Sequence, residues 1–191
     1  MSDTVRTFIA IEMSPAVREF LGRCQDRLRR TDADVRWVRP ELIHLTLVFL
    51  GDVPEEMLAD LESAVRGAVS PLGPMTLEAR GAGWFPPRGL PRVVWVAVHE
   101  PTGELLRLQK RVADAVAAFT EKPENRAYQA HLTLGRVRSG QHSRALTGAA
   151  AAMAAEPGPS FVATEVVIFK SVLSSEGPTY TALARVPLGR G

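Results

Sequence analysis

His44-Leu45-Thr46-Leu47 and His131-Leu132-Thr133-Leu134 are the same tetrapeptide, 87 positions apart in a chain of 191 residues. The first copy lies within Trp37-Val38-Arg39-Pro40-Glu41-Leu42-Ile43-His44-Leu45-Thr46-Leu47-Val48-Phe49-Leu50-Gly51. The second runs on into Gly135-Arg136. Each reads as a strand flanked by helical stretches. Side chains along a strand alternate faces, so His44 and Thr46 share one face while Ile43, Leu45 and Leu47 take the other. His131 and Thr133 stand against Leu132 and Leu134 in the same way. A lone histidine in an apolar strand reads as a core or edge residue. Two of only four histidines in one repeated context, each with a threonine two residues on, read as a functional pair. His99 and His142 lack the threonine and are expected at the surface.

Working outward, Thr7 to Met13 reads as a strand. Ser14-Pro15 then caps and opens a helix whose apolar stripe is Val17, Phe20, Leu21, Cys24 and Leu28, running to about Arg30. Val35 to Val38 is extended, and Leu42 to Leu50 is a strand stopped by Gly51-Asp52. A helix covers Pro54 to Val69. Met75 to Phe85 and Val93 to Val98 pair around Pro86-Pro87-Arg88-Gly89. A third helix covers Thr102 to Phe119, a strand Tyr128 to Val137, and an Ala-rich helix Ser143 to Ala155. Phe161 to Leu173 and Thr179 to Val186 close the chain as a hairpin about Glu176-Gly177-Pro178. Several strand pairs are joined by connections too short for a parallel crossover. The class is therefore α+β with mainly antiparallel sheet, and 1–191 reads as one domain, or two tightly joined halves.

The composition is that of an ordinary folded protein, 46% hydrophobic and 23% charged. The single cysteine, Cys24, excludes an internal disulfide and a cysteine-based zinc site, and its place on the apolar stripe argues against a nucleophile. No apolar run reaches the ~18 residues of a membrane span, and the N-terminus lacks a signal-peptide pattern. A cytoplasmic protein without a membrane partner is expected. The net charge of +2 excludes a polycation, yet 20 of the 23 basic residues are arginine, a residue whose planar fork suits phosphate. Abundant alanine suggests that base composition contributes to that excess.

Two imidazoles facing one another can divide acid and base work near neutral pH, one taking a proton from water and the other giving one to a leaving oxygen. Threonine hydroxyls can donate to the non-bridging oxygens between them. The pattern suits in-line displacement at phosphorus. Neither strand brings a second metal ligand, so no metal and no cofactor is expected. A G-x-S-x-G elbow and a P-loop are both missing.

On these residues the chain resembles the two-histidine (2H) phosphoesterases, and within them the bacterial and archaeal RNA 2′,3′-cyclic phosphodiesterases, historically called 2′-5′ RNA ligases. Arg6-Thr7-Phe8-Ile9-Ala10-Ile11 is similar to the family's opening strand. The block Trp37 to Gly51 is similar to its first motif, His131 to Arg136 to its second, and Ser171-Val172-Leu173 with Tyr180 to its closing hairpin. The resemblance implies a bilobal fold: two antiparallel sheets with helices outside, a pseudo-twofold axis and a central cleft. It implies hydrolysis of RNA 2′,3′-cyclic phosphate ends to 2′-phosphates, with His44 as proton donor, His131 as proton acceptor, and Thr46 and Thr133 on the phosphate. Tyr128-Gln129-Ala130 departs from relatives, which carry an aromatic followed closely by proline. Arg136 is likened to a phosphate contact. Simple alternation, however, puts it opposite His131, so either the strand bulges or Arg136 is structural. Phe49, a candidate base-stacking residue, has the same parity conflict with His44.

Charge placement suggests where RNA would lie. No acid occurs between Glu78 and Glu100, a stretch with Arg80, Arg88 and Arg92, nor between Glu124 and Glu156, a stretch with Arg126, Arg136, Arg138 and Arg144. Residues 101–191 carry 11 basic and 7 acidic residues, against 12 and 14 in residues 1–100. Arg92 and Arg136 are therefore expected at the substrate. Trp84, beside the first window, is expected either to stack a base or to plug the core. The expected partner is RNA with a cyclic phosphate end, tRNA fragments included, bound by a monomer. Three alternatives stay open: a 2′-5′ ligase, a small cyclic-nucleotide phosphodiesterase using the same site, and a non-catalytic RNA-binding module.

Overall fold

The structure, a computed structural model, describes residues 3–120, 126–175 and 177–189. Nine strands and four helices follow one another as β1 (Thr4–Glu12), α1 (Pro15–Arg29), β2 (Val35–Trp37), β3 (His44–Pro54), α2 (Leu58–Val69), β4 (Met75–Phe85), β5 (Val93–His99), α3 (Glu104–Ala115), β6 (His131–Val137), α4 (Ser143–Ala152), β7 (Ser160–Ala163), β8 (Glu165–Ser174) and β9 (Gly177–Pro187) among the described residues. The opening helix forms where expected. Ser14 accepts from the Val17 N–H, Pro15 occupies the first turn, and Val17, Phe20, Leu21, Cys24, Gln25 and Leu28 are buried.

The strands make two antiparallel sheets, β3-β1-β8-β9 and β2-β6-β5-β4-β7. Apart from the added β2, they correspond position by position: β3, β1, β8 and β9 with β6, β5, β4 and β7. The two halves of the sequence do not map onto the two sheets. Strand β4 belongs to the first half yet pairs with β5, and β8 belongs to the second half yet pairs with β1. Helix α3 packs on β3, and α1 packs against α4. Each half thus lends its first helix and last strand to the other half's sheet. A continuous core joins Ile9, Leu45 and Ile168 of one sheet to Val94, Leu132 and Leu77 of the other.

Two expectations change. The strand predicted from Phe161 to Leu173 is two strands broken at Thr164, because its first part pairs with β4 in one sheet and its second with β1 in the other. The segment preceding His131 is not strand: β6 starts at the histidine. Of the closing turn, Glu176 lies outside the described residues.

Both histidine strands bulge at the same place. Opposite β1, Ile9 pairs with Val48 and Ala10 with Thr46, so Leu47 is the extra residue. Opposite β5, Val94 pairs with Gly135 and Trp95 with Thr133, so Leu134 is extra. One extra residue reverses the parity of everything after it. Phe49 and Arg136, each five residues after its histidine, are thereby turned onto the histidine face. Gly135 permits this packing: a Cβ there would lie 2.5 Å from Val35 Cγ1 and 3.2 Å from the Arg36 carbonyl.

Candidate active site

Between the sheets lies a cleft of about 530 Å³, lined by His44, Thr46 and Phe49 of β3 and by His131, Thr133 and Arg136 of β6. Leu45, Leu47, Leu132 and Leu134 face the core, as alternation requires. The two histidines are held alike. Nδ1 of His44 lies 2.8 Å from the Leu42 carbonyl, and Nδ1 of His131 lies 2.7 Å from the Gln129 carbonyl. A carbonyl only accepts, so Nδ1 carries the proton in each ring and Nε2 is left for proton exchange. Neither Thr46 nor Thr133 spends its hydroxyl on a described protein group.

Aromatic rings fix both imidazoles. His44 stacks on Phe8 with centroids 4.7 Å apart and meets the edge of Tyr180 at 5.2 Å. His131 meets Phe85 edge-on at 5.1 Å, with Trp95 at 6.4 Å. Burial in this setting pushes His44 below the ordinary imidazole pKa, against the opposing pulls of the Leu42 carbonyl and Glu12. The Glu12 carboxylate, next to His44 in register, is itself engaged by Arg185. Cys24 is buried and its thiol is pushed up to about 11, chiefly by desolvation, as expected of a core residue.

Four arginines, Arg6, Arg36, Arg39 and Arg136, line the cleft, and no carboxylate is among its described lining residues. None of the four is ion-paired with a described residue, whereas Arg23, Arg27, Arg29, Arg66, Arg107 and Arg185 are all paired with carboxylates. Arg6 lies over the Phe49 ring at 4.7 Å, although Asp52 is its cross-strand neighbour. Arg36 and Arg136 are direct cross-strand neighbours. Like charges opposite one another destabilise a sheet, and an anion between them removes that penalty.

Part of the expected binding set moves. Arg136 and Phe49 are in the cleft. Arg92 does not line it and is exposed in the β4–β5 connection. Trp84 does not line it either. It packs on the core, and its neighbour Phe85, of opposite parity, meets the His131 ring. Only Arg136 comes from the acid-free windows, while Arg6, Arg36 and Arg39 come from the net-acidic half. Their signal was positional: Arg36 and Arg39 flank the entry to the first histidine strand, and Arg6 sits on the strand that pairs with it. His99 and His142 are exposed, as expected. Among the described residues no three His, Cys, Asp or Glu side chains converge, and no helix is long and apolar enough to cross a membrane.

The duplicated motif, the matching bulges and the shared cleft have a counterpart among known proteins. The model of the LigT like phosphoesterase family matches the chain twice, over residues 11–95 and 96–180. The chain belongs to this family. Each match contains one His-Leu-Thr-Leu strand. The RNA 2′,3′-cyclic phosphodiesterase of Methanothermobacter thermautotrophicus is 35% identical over 93% of this chain and 95% of its own. A crystal structure from Thermus thermophilus superposes with a TM-score of 0.79 at 27% identity, covering 97% of this chain and 98% of that one. E. coli LigT complexed with 3′-AMP superposes with a TM-score of 0.76 at 26% identity, covering 97% and 99%. The bilobal α+β architecture of two antiparallel sheets is thus that of LigT-like structures.

Proposed function

We propose that this LigT-like phosphoesterase hydrolyses RNA 2′,3′-cyclic phosphate ends to 2′-phosphomonoesters by acid–base catalysis between its two histidines. The observation that carries the reading is the paired geometry. Two imidazoles, each with Nδ1 committed to the carbonyl two residues upstream, line one cleft with two uncommitted threonine hydroxyls. Nε2 of His131 takes a proton from water. That water attacks phosphorus, the bond to the 3′-oxygen breaks, and protonated Nε2 of His44 supplies that oxygen's proton. Thr46, Thr133 and Arg136 hold the non-bridging oxygens as negative charge builds on them.

The lowered proton affinity of His44 is compatible with an acid. The anionic phosphate places a negative charge beside the ring and favours the imidazolium, so the acid is charged as substrate arrives. The charge of the cleft also bears on substrate size. A cyclic phosphodiester carries one negative charge, and Arg136 answers it. Arg6, Arg36 and Arg39 remain for the phosphates of a chain, which favours an oligonucleotide over a cyclic mononucleotide. The relatives are named for RNA ends, and tRNA fragments fall within the same class. The cleft draws every residue named here from one copy of the chain, in keeping with a cytoplasmic monomer.

The test is hydrolysis of a cyclic-phosphate oligonucleotide by wild type and by the His44→Ala, His131→Ala double variant, each with and without EDTA. Loss of about 10²-fold or more in kcat in the double variant, with no EDTA effect on wild type, is expected. Full activity in the double variant would refute the histidine roles, and strong loss in EDTA would refute a metal-free reaction.

A further inference from the structure

The two bulges are held by a matching pair of glutamines. Gln25 of α1 is fully buried, and its Nε2 lies 2.9 Å from the Leu134 carbonyl and 2.6 Å from the Val38 carbonyl. Gln109 of α3 is half-buried, and its Nε2 donates to the Leu47 carbonyl at 3.3 Å. Leu134 and Leu47 are the extra residues of the two bulges. Each glutamine therefore comes from one half of the sequence and grips the bulge of the other half's histidine strand.

Gln25 is costly where it stands. Its Oε1 is buried with no hydrogen-bond partner among the described residues, a state that disfavours folding. An apolar side chain would suit the core better unless the amide N–H groups did something useful. The two carbonyls fix the amide orientation, since only NH₂ can face them. One of them belongs to the bulge that turns Arg136 into the cleft. The other, on Val38, lies one residue before the cleft residue Arg39. The Leu134 carbonyl also accepts from the Val38 N–H at 2.9 Å, so the amide clamps a junction where β6 meets the chain entering the first motif.

We propose that Gln25 and Gln109 are reciprocal positioning residues, each fixing the bulge that aims a binding residue, Arg136 or Phe49, into the cleft. The inference rests on the cleft being the site of the reaction proposed above. A bulge without its anchor can slip by one residue, and that slip reverses the side chains beyond it.

Double-substitution cycles test this. Gln25→Leu is combined with Arg136→Ala, and Gln109→Leu with Phe49→Ala. Each is read as kcat/KM on the cyclic-phosphate oligonucleotide and as affinity for 2′-AMP, with melting curves to confirm folding. Each glutamine substitution alone is expected to lower kcat/KM and 2′-AMP affinity roughly tenfold, about 1.4 kcal/mol. In the background that already lacks the aimed side chain it should cost less than about twofold, because nothing is left to misdirect. Equal losses in both backgrounds would overturn the proposal and make the glutamines merely structural. So would single variants that fold and bind as wild type does. If Gln25→Leu fails to fold, the half-buried Gln109 gives the deciding cycle. The 2′-AMP arm does not need turnover, so wild type that binds 2′-AMP without hydrolysing the oligonucleotide would count against the reaction and leave the positioning test intact.

Discussion

An imidazole with Nδ1 fixed on a backbone carbonyl has one nitrogen left to work with, and both motif histidines are in that condition. Their surroundings then separate them. His44 is buried against Phe8 and Tyr180, and desolvation lowers its proton affinity. The sign follows directly. A group that must be protonated to act as the acid is lost as pH rises through its pKa. With that pKa lowered in the free protein, the alkaline limb of kcat/KM should fall below the ordinary imidazole range. The limb of kcat, reporting the substrate complex, should lie higher, since the bound phosphate restores the imidazolium. A pH series of initial rates checks both, and a kcat/KM limb at or above the ordinary histidine value would contradict the assignment of His44. The histidines and threonines were legible in the sequence because a repeated tetrapeptide needs only strand alternation to place them. Phe49 and Arg136 were not, because alternation points them away and only an extra residue in each strand points them back. Trp84 failed by one position for the same kind of reason: its neighbour Phe85 has the parity that reaches His131.

At the scale of elements, the histidine strands are tied across the cleft as well as from behind. Tyr128, in the segment before β6, donates its hydroxyl to the Thr46 carbonyl of β3 at 3.0 Å. Burial raises its pKa, so the phenol stays protonated and able to donate. Tyr128→Phe keeps the ring and leaves a carbonyl unpaired, at a cost of about 1–2 kcal/mol. For a chain of this size that is a fall in Tm of roughly 2–8 °C, measurable by calorimetry, and Thr46 should lose some of its hold on substrate, raising KM. An unchanged Tm together with an unchanged KM would show that the contact does nothing. The sequence signalled only that Tyr128-Gln129-Ala130 departs from the usual run before the second motif. The tie itself is a contact 82 residues apart in the chain, beyond the reach of local pattern. The break at Thr164 was hidden likewise: both of its flanking strands are apolar, and only the choice of partner sheet separates them.

Over the whole molecule, the α+β class and most of the element order followed from periodicity and turn residues. The duplication pointed to two similar halves, and their interleaving came from long-range pairing: β4 and β8 each cross to the other half's sheet. The consequence is a cleft to which both halves contribute twice, directly through their histidine strands and indirectly through the helices behind them. Charge had to be read at this scale too. The second half of the sequence is the more basic, yet Arg6, Arg36 and Arg39 come from the acidic half, and only the fold gathers them with Arg136. The central claim is that this shared cleft opens an RNA cyclic phosphate towards the 2′-phosphate. The most direct measurement is mass analysis of the product from a 2′,3′-cyclic-phosphate oligonucleotide, followed by assignment of the hydroxyl that keeps the phosphate. The expected result is a gain of one water with the phosphate on the 2′-oxygen. A cyclic end left intact, or a phosphate retained on the 3′-oxygen, would contradict it.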